Sequence, residues 1–289
     1  MKDHIKDFLE LIRLCSTQLP EDVEQRITDC MEKEYETSTA KSILAQILKN
    51  CEMARERSLP ICQDTGTNLY WINYPPAMRE AEIHSQIIEA TKLATTKYYL
   101  RPNSVDSITG KNTGDNIGEG HPSFHFRQWE KDFLQVTLML KGGGSENCGI
   151  QYKLPDARLN AARDFDGVAK CVRDAVLQTQ GLGCAPGIIG VCIGGDRASS
   201  YEYSKFALLR KLDEKNPVPE LSLLEKRLIE ECNSSGIGPM GLGGKTTVLD
   251  VKIVAANRLP ACYFVSVSYM CWACRRRTMI IRNNTAEYK

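Results

Sequence analysis

Phe133-Leu-Gln-Val-Thr-Leu-Met-Leu140 runs through Lys141 into Gly142-Gly-Gly144. Its first half alternates apolar and polar positions, the period of a half-buried strand, and the glycines stop it. Upstream the period is helical. Ile5, Phe8, Leu9 and Ile12 fall at i, i+3, i+4, i+7, and the spacing predicts further helices over 23–35, 41–57 and 79–98. Between the last two lie a loop over 58–67 and a short strand at 68–74, and a Gly- and Asn-rich loop over 107–122 leads back to the opening stretch. Downstream the two periods mix, with helices near 166–178, 201–212 and 221–232 and strands at 188–193, 247–255 and 263–269. The pattern predicts a mixed α/β fold. One domain is expected over 1–289, with a helical N-terminal region (1–58), an α/β body (59–282) and a loose polar tail (283–289).

A chain of 289 residues with 42% hydrophobic content can bury a substantial core. Lys+Arg number 37 and Asp+Glu 36, so no net field draws the molecule to nucleic acid or an anionic membrane. The first residues make an amphipathic helix rather than a secretion signal, and no uncharged run is long enough to span a bilayer. A cytoplasmic location is expected.

In a reducing compartment the twelve cysteines serve as core residues, metal ligands or redox groups. Cys171 and Cys232 continue apolar helix faces and read as core. Cys15, Cys30 and Cys51, in or beside helices, and Cys192, inside an apolar strand, read the same way. Cys62, Cys148, Cys184, Cys271 and Cys274 sit instead at loops or strand ends beside Gly, Pro or polar residues. Such positions give thiolates the backbone freedom to converge on iron; Cys62, Cys184 and Cys271 are candidate ligands, although composition alone does not single them out. The four histidines, His4, His84, His121 and His125, make no metal face, because Pro122 spoils the four-residue spacing of the last two, which are expected in loops.

Cys62-Gln-Asp-Thr-Gly66, Gly110-Lys-Asn-Thr-Gly114, Gly142-Gly-Gly-Ser-Glu-Asn147, Gly236-Ile-Gly-Pro-Met-Gly-Leu-Gly-Gly244 and Cys271-Trp-Ala-Cys-Arg-Arg276 occur in that order. Together they resemble the motifs of the class I fumarate hydratase and L(+)-tartrate dehydratase alpha family, and the likeness covers nearly the whole chain. The resemblance implies a [4Fe–4S] cluster held by Cys62, Cys184 and Cys271, with one iron open to substrate. It implies that Gln63 and Asp64 act on the substrate, that Arg101 pairs with a carboxylate and that Gly143 offers its backbone. It further implies a hydro-lyase acting on a small dicarboxylate, with fumarate to malate as the reaction and tartrate to oxaloacetate as the alternative. A beta-type subunit would carry a proton-transferring threonine and more basic residues, in a homo- and hetero-oligomer. Three positions depart from the family pattern: Leu259 stands where a histidine is common, Cys274 where tartrate dehydratases have histidine, and Cys148 where methionine is common.

Two motifs admit other readings. Cys271-Trp-Ala-Cys274 has the spacing of a redox dithiol, but it follows a late strand rather than opening a helix early in a βαβ unit. The glycines before Lys245-Thr246 suggest a phosphate loop, but Pro239 stands where its first glycine is required. A non-catalytic binding or scaffold protein built on the same fold is the remaining alternative.

Overall fold

The computed structural model describes residues 3–289 and has a mixed α/β architecture. The chain forms two compact units, one made of residues 3–20, Lys49–Gly143 and Ala273–Lys289, the other of Glu21–Leu48 and Gly144–Trp272. The helical N-terminal region is shared between them: α1 (Ile5–Thr17) belongs to the first unit, α2 (Glu21–Lys33) to the second, and the division falls inside α3 (Thr39–Arg57).

In the first unit the apolar stripe of α1, Phe8, Leu11, Ile12 and Cys15, is fully buried. It packs on β1 (Thr67–Tyr74), α4 (Glu80–Thr96) and β3 (Leu134–Lys141) through Tyr70, Ile72, Ile83, Ile87, Leu138 and Leu140. Each such side chain contributes about 1.5–3 kcal/mol on leaving water. The sheet runs β2-β1-β3-β8-β9, adding β2 (Ser123–Gln128), β8 (Arg275–Arg282) and β9 (Thr285–Tyr288). In this sheet, among the described residues, only the β1–β2 pair is parallel. Leu134, Val136, Leu138 and Leu140 share the core face of β3, as the opening alternation requires.

In the second unit β5 (Gly187–Gly194) lies between β6 (Val248–Ala256), parallel to it, and β7 (Phe264–Met270), antiparallel, with β4 (Ile150–Lys153) beyond β7. Both faces of β5 are buried, so its sequence is apolar throughout rather than alternating. Ile189 and Val191 pack with α6 (Phe165–Thr179) and α8 (Pro219–Asn233) through Val168, Val172 and Leu228. On the opposite face lies α7 (Arg197–Ala207), whose Ser200 hydroxyl lies 2.7 Å from that of Ser266 and whose Ser204 hydroxyl lies 2.7 Å from that of Ser268. A Cβ at Gly190 would come within 2.1 Å of the Ser204 carbonyl oxygen, so glycine lets α7 lie close. A short helix α5 (Gly143–Glu146) and a 3-10 turn (Pro239–Gly241) complete the elements.

Most predicted elements form within a few residues of their expected bounds, but α7 begins earlier than expected because Asp196 caps it, accepting from the Ala198 and Ser199 amides at 2.8 and 3.1 Å. Strands β2, β4, β8 and β9 were not anticipated. His125, expected in a loop, lies in β2 and stacks on Trp71. The tail expected to be loose is β9, paired with β8, and Tyr288 donates its hydroxyl to the Asp7 carbonyl at 3.1 Å. Among the described residues no helix is long and apolar enough to cross a membrane.

Candidate active site

The candidate residues fall in two groups, and Cys62, Gln63, Asp64, Arg101 and Gly143 belong to the first unit. Cys62 follows Ile61, whose amide donates to Ser16 O at 3.0 Å and whose carbonyl accepts from Asn50 at 2.9 Å. Asp64 then folds its carboxylate over the loop: Oδ1 accepts from Gly66 N at 3.0 Å and Oδ2 from Gly143 N at 2.8 Å. The structure thus joins two of the predicted residues directly. This closure needs glycine at 66, where φ is +78° and a Cβ would lie 2.5 Å from the Lys141 carbonyl carbon.

Arg101 presents an exposed side chain on a fixed backbone. Its amide donates to the Thr65 hydroxyl at 3.1 Å and its carbonyl accepts from Asn116 at 2.7 Å. Thr65 and Asn116, both buried, are the residues that place Arg101, and neither was singled out beforehand. The signal for Asn116 was its position in an Asn-rich loop. The Lys111–Gly114 stretch is an exposed turn, closed by Asn112, which donates to Pro102 O and accepts from Gly114 N. Arg275, also unanticipated, is 1% exposed, and a Cβ at Gly142 would lie 2.9 Å from Asp64 Oδ2 and 3.8 Å from Arg275 Nη2.

The second unit holds Cys184 and Cys271. Cys184 is exposed and has φ +54°, a left-handed backbone uncommon for a residue with a side chain and often found at functional sites. Its carbonyl accepts from Trp272 N at 3.4 Å, which seats the residue after Cys271 against the Cys184 loop. Met240 N donates to Ala185 O at 2.9 Å, and a Cβ at Gly181 would lie 2.5 Å from the Met240 carbonyl oxygen. The glycine-rich loop therefore backs the Cys184 loop. Its amides are engaged internally: Gly241, Leu242 and Gly243 bond within the loop, Gly238 to Thr247, and Lys245 to the buried Glu34. A phosphate cradle would need those N–H groups turned outward.

Tyr269 packs at this place too. Cβ atoms at Gly183 and Gly187 would lie 2.4 and 2.3 Å from its ring, and its hydroxyl oxygen is buried with no hydrogen-bond partner among the described residues. Burial, and then the nearby Cys271, Cys148 and Cys184 thiols, push the phenol well above its ordinary value.

Cys274, the other half of the C-x-x-C pair, is fully buried with Arg276 Nη1 3.7 Å from its sulfur, which does not suit a redox dithiol that must meet a partner. Among the described residues no three His, Cys, Asp or Glu side chains gather as a single metal ion requires. An iron–sulfur cube distributes its thiolates over separate irons and imposes no such meeting point. Thiols on loops, with an unpartnered buried hydroxyl beside two of them, fit a cluster.

The family profile described as fumarate hydratase (Fumerase) matches residues 5–280. A Geobacillus stearothermophilus protein, provisionally named a class I fumarate hydratase, is 47% identical over 99% of this chain. The chain spans 56% of that relative's length. A Methanocaldococcus jannaschii protein, provisionally named L(+)-tartrate dehydratase subunit alpha, is 34% identical over 93% of this chain and 94% of its own. The L(+)-tartrate dehydratase subunit alpha of Escherichia coli K12 is 32% identical over 93% of this chain and 87% of its own.

Proposed function

Since the chain belongs to the fumarate hydratase (Fumerase) family, we propose that it is the alpha component of a hydro-lyase that interconverts fumarate and malate. The observation that carries the reading is the 47% identity, across 99% of the chain, to a protein named for that activity. In this reading Cys62, Cys184 and Cys271 hold a [4Fe–4S] cluster, which when bound supplies an iron without a protein ligand as a Lewis acid toward substrate oxygen.

The chain's own residues bind and orient. Arg101, exposed on a backbone pinned by Thr65, gives a planar two-pronged grip on one substrate carboxylate. Gly143 lies at the exposed start of α5, where a substrate oxygen would take the amide that now donates to Asp64. Asp64 accepts from Gly66 and Gly143, and its remaining lone pairs face a substrate hydroxyl, with exposed Gln63 adding an amide donor. Two relatives named as alpha subunits imply a beta subunit beside them, and we carry that partner over, with the proton transfer at carbon assigned to it.

A second reading, the alpha subunit of an L(+)-tartrate dehydratase, is favoured by the 34% and 32% identity to two proteins so named. Malate and tartrate differ in one hydroxyl, a difference a polar site can resolve by several orders of magnitude. Anaerobic co-expression with a beta-type chain, iron and sulfide analysis, and assays on fumarate, malate and L-tartrate test both. We expect a cluster lost in Cys62→Ser, Cys184→Ser and Cys271→Ser, with turnover highest on fumarate. A chain that takes up neither iron nor sulfide overturns both readings, and preferential turnover of tartrate selects the second.

A further inference from the structure

Tyr269 ends the core face of β7 and carries a hydroxyl that the fold does not use. Its ring is clamped between Gly183 and Gly187, where any larger residue would overlap it, and its side chain is 2% exposed. The hydroxyl oxygen would lie 2.5 Å from a Cβ at Gly187, so it sits against the loop that carries Cys184, and it has no hydrogen-bond partner among the described residues. A phenylalanine would fill the same clamp without desolvating a hydroxyl. Tyr269 also stands two residues before Cys271, which directly follows the end of β7. Its phenol is close enough to Cys271, Cys148 and Cys184 to interact with them electrostatically.

Resting on the reading that Cys184 and Cys271 are cluster ligands, we propose that the Tyr269 hydroxyl donates a hydrogen bond to sulfur of the bound cluster, a ligand thiolate or a sulfide. Tyr269 is then a positioning residue. A hydrogen bond to sulfur withdraws electron density and stabilises the reduced cluster, so it raises the reduction potential. In the cluster-free protein the same hydroxyl is buried without a partner and destabilises the fold.

The test is Tyr269→Phe in the full chain, reconstituted anaerobically with ferrous iron and sulfide beside the wild type. Three quantities are read: iron and sulfide content, the midpoint potential by redox titration followed by electron paramagnetic resonance, and the melting temperature of the cluster-free protein. The expected result is equal iron and sulfide, a more negative potential in the variant, and a cluster-free melting temperature at or above that of the wild type. Equal potentials overturn the proposal and leave the cluster reading intact. A clearly lower melting temperature for the cluster-free variant also overturns it, because the hydroxyl then has its partner within the protein. A wild type that takes up no cluster overturns the proposal and the reading together.

Discussion

Chemistry sorts the thiols by exposure. Burial raises Cys15, Cys171 and Cys232 to about 12 and Cys192 to about 11, so these four stay protonated at neutral pH. Cys184 is exposed, and Cys62 and Cys271 are half-buried. Alkylation of the cluster-free native chain at pH 7.5 should therefore modify Cys184, Cys62 and Cys271 well before those four, as read by peptide mass spectrometry. Equal labelling of Cys15 and Cys184 would contradict the assignment. Asp64 is the second residue whose role separates from stability. Asp64→Asn keeps the size and one acceptor of the carboxylate but loses its charge, so kcat/KM should fall on the order of 10²-fold or more while the fold stays within ~1–2 kcal/mol of wild type. Unchanged kinetics with a lowered melting temperature would make Asp64 a loop brace and nothing more.

At the scale of elements, loops are held by glycines that admit another backbone. Gly66→Ala adds a Cβ 2.5 Å from the Lys141 carbonyl carbon at a φ of +78°, and it should cost ~2–4 kcal/mol, visible as a lower denaturant midpoint. A midpoint equal to wild type would mean that the Cys62 loop moves freely away from β3. Long-range pairing also explains the strands that periodicity did not reveal. Ser123-Phe-His-Phe-Arg-Gln128 is a short strand at the sheet edge that pairs in parallel with β1, and its residues, four half-buried and then two exposed, show no alternation to read. Arg275-Arg-Arg277 reads as a polar stretch, yet it pairs with Leu138–Leu140 of β3 and Arg275 is buried.

For the molecule as a whole, acid should be the destabilising direction. Asp196 is held below the ordinary carboxylate value by the Ser199 hydroxyl and amides at the start of α7, and Asp174 by Arg158, with Nη2 2.8 Å away. A depressed folded pKa contributes stability that is fully present above the unfolded value of about 3.9 and is lost as pH falls through the folded value. The melting temperature should thus hold from pH 7 to 5 and fall below about pH 4, and Asp174→Asn should flatten that fall. A profile as steep in the variant would assign acid sensitivity to other groups.

The sequence by itself determined the type of most elements, because helical and strand periods are local, and it determined the family, because five short motifs keep their order along one chain. It also determined which thiols stand in loops. Only the tertiary structure decided that Asp64 bonds to Gly143, that the glycine-rich loop supports Cys184 instead of cradling phosphate, and that Tyr269 brings a buried hydroxyl against the Cys184 loop. Each of these is a contact between residues far apart in sequence, set by how strands pair and how closely glycine lets backbones approach, and no local period records it.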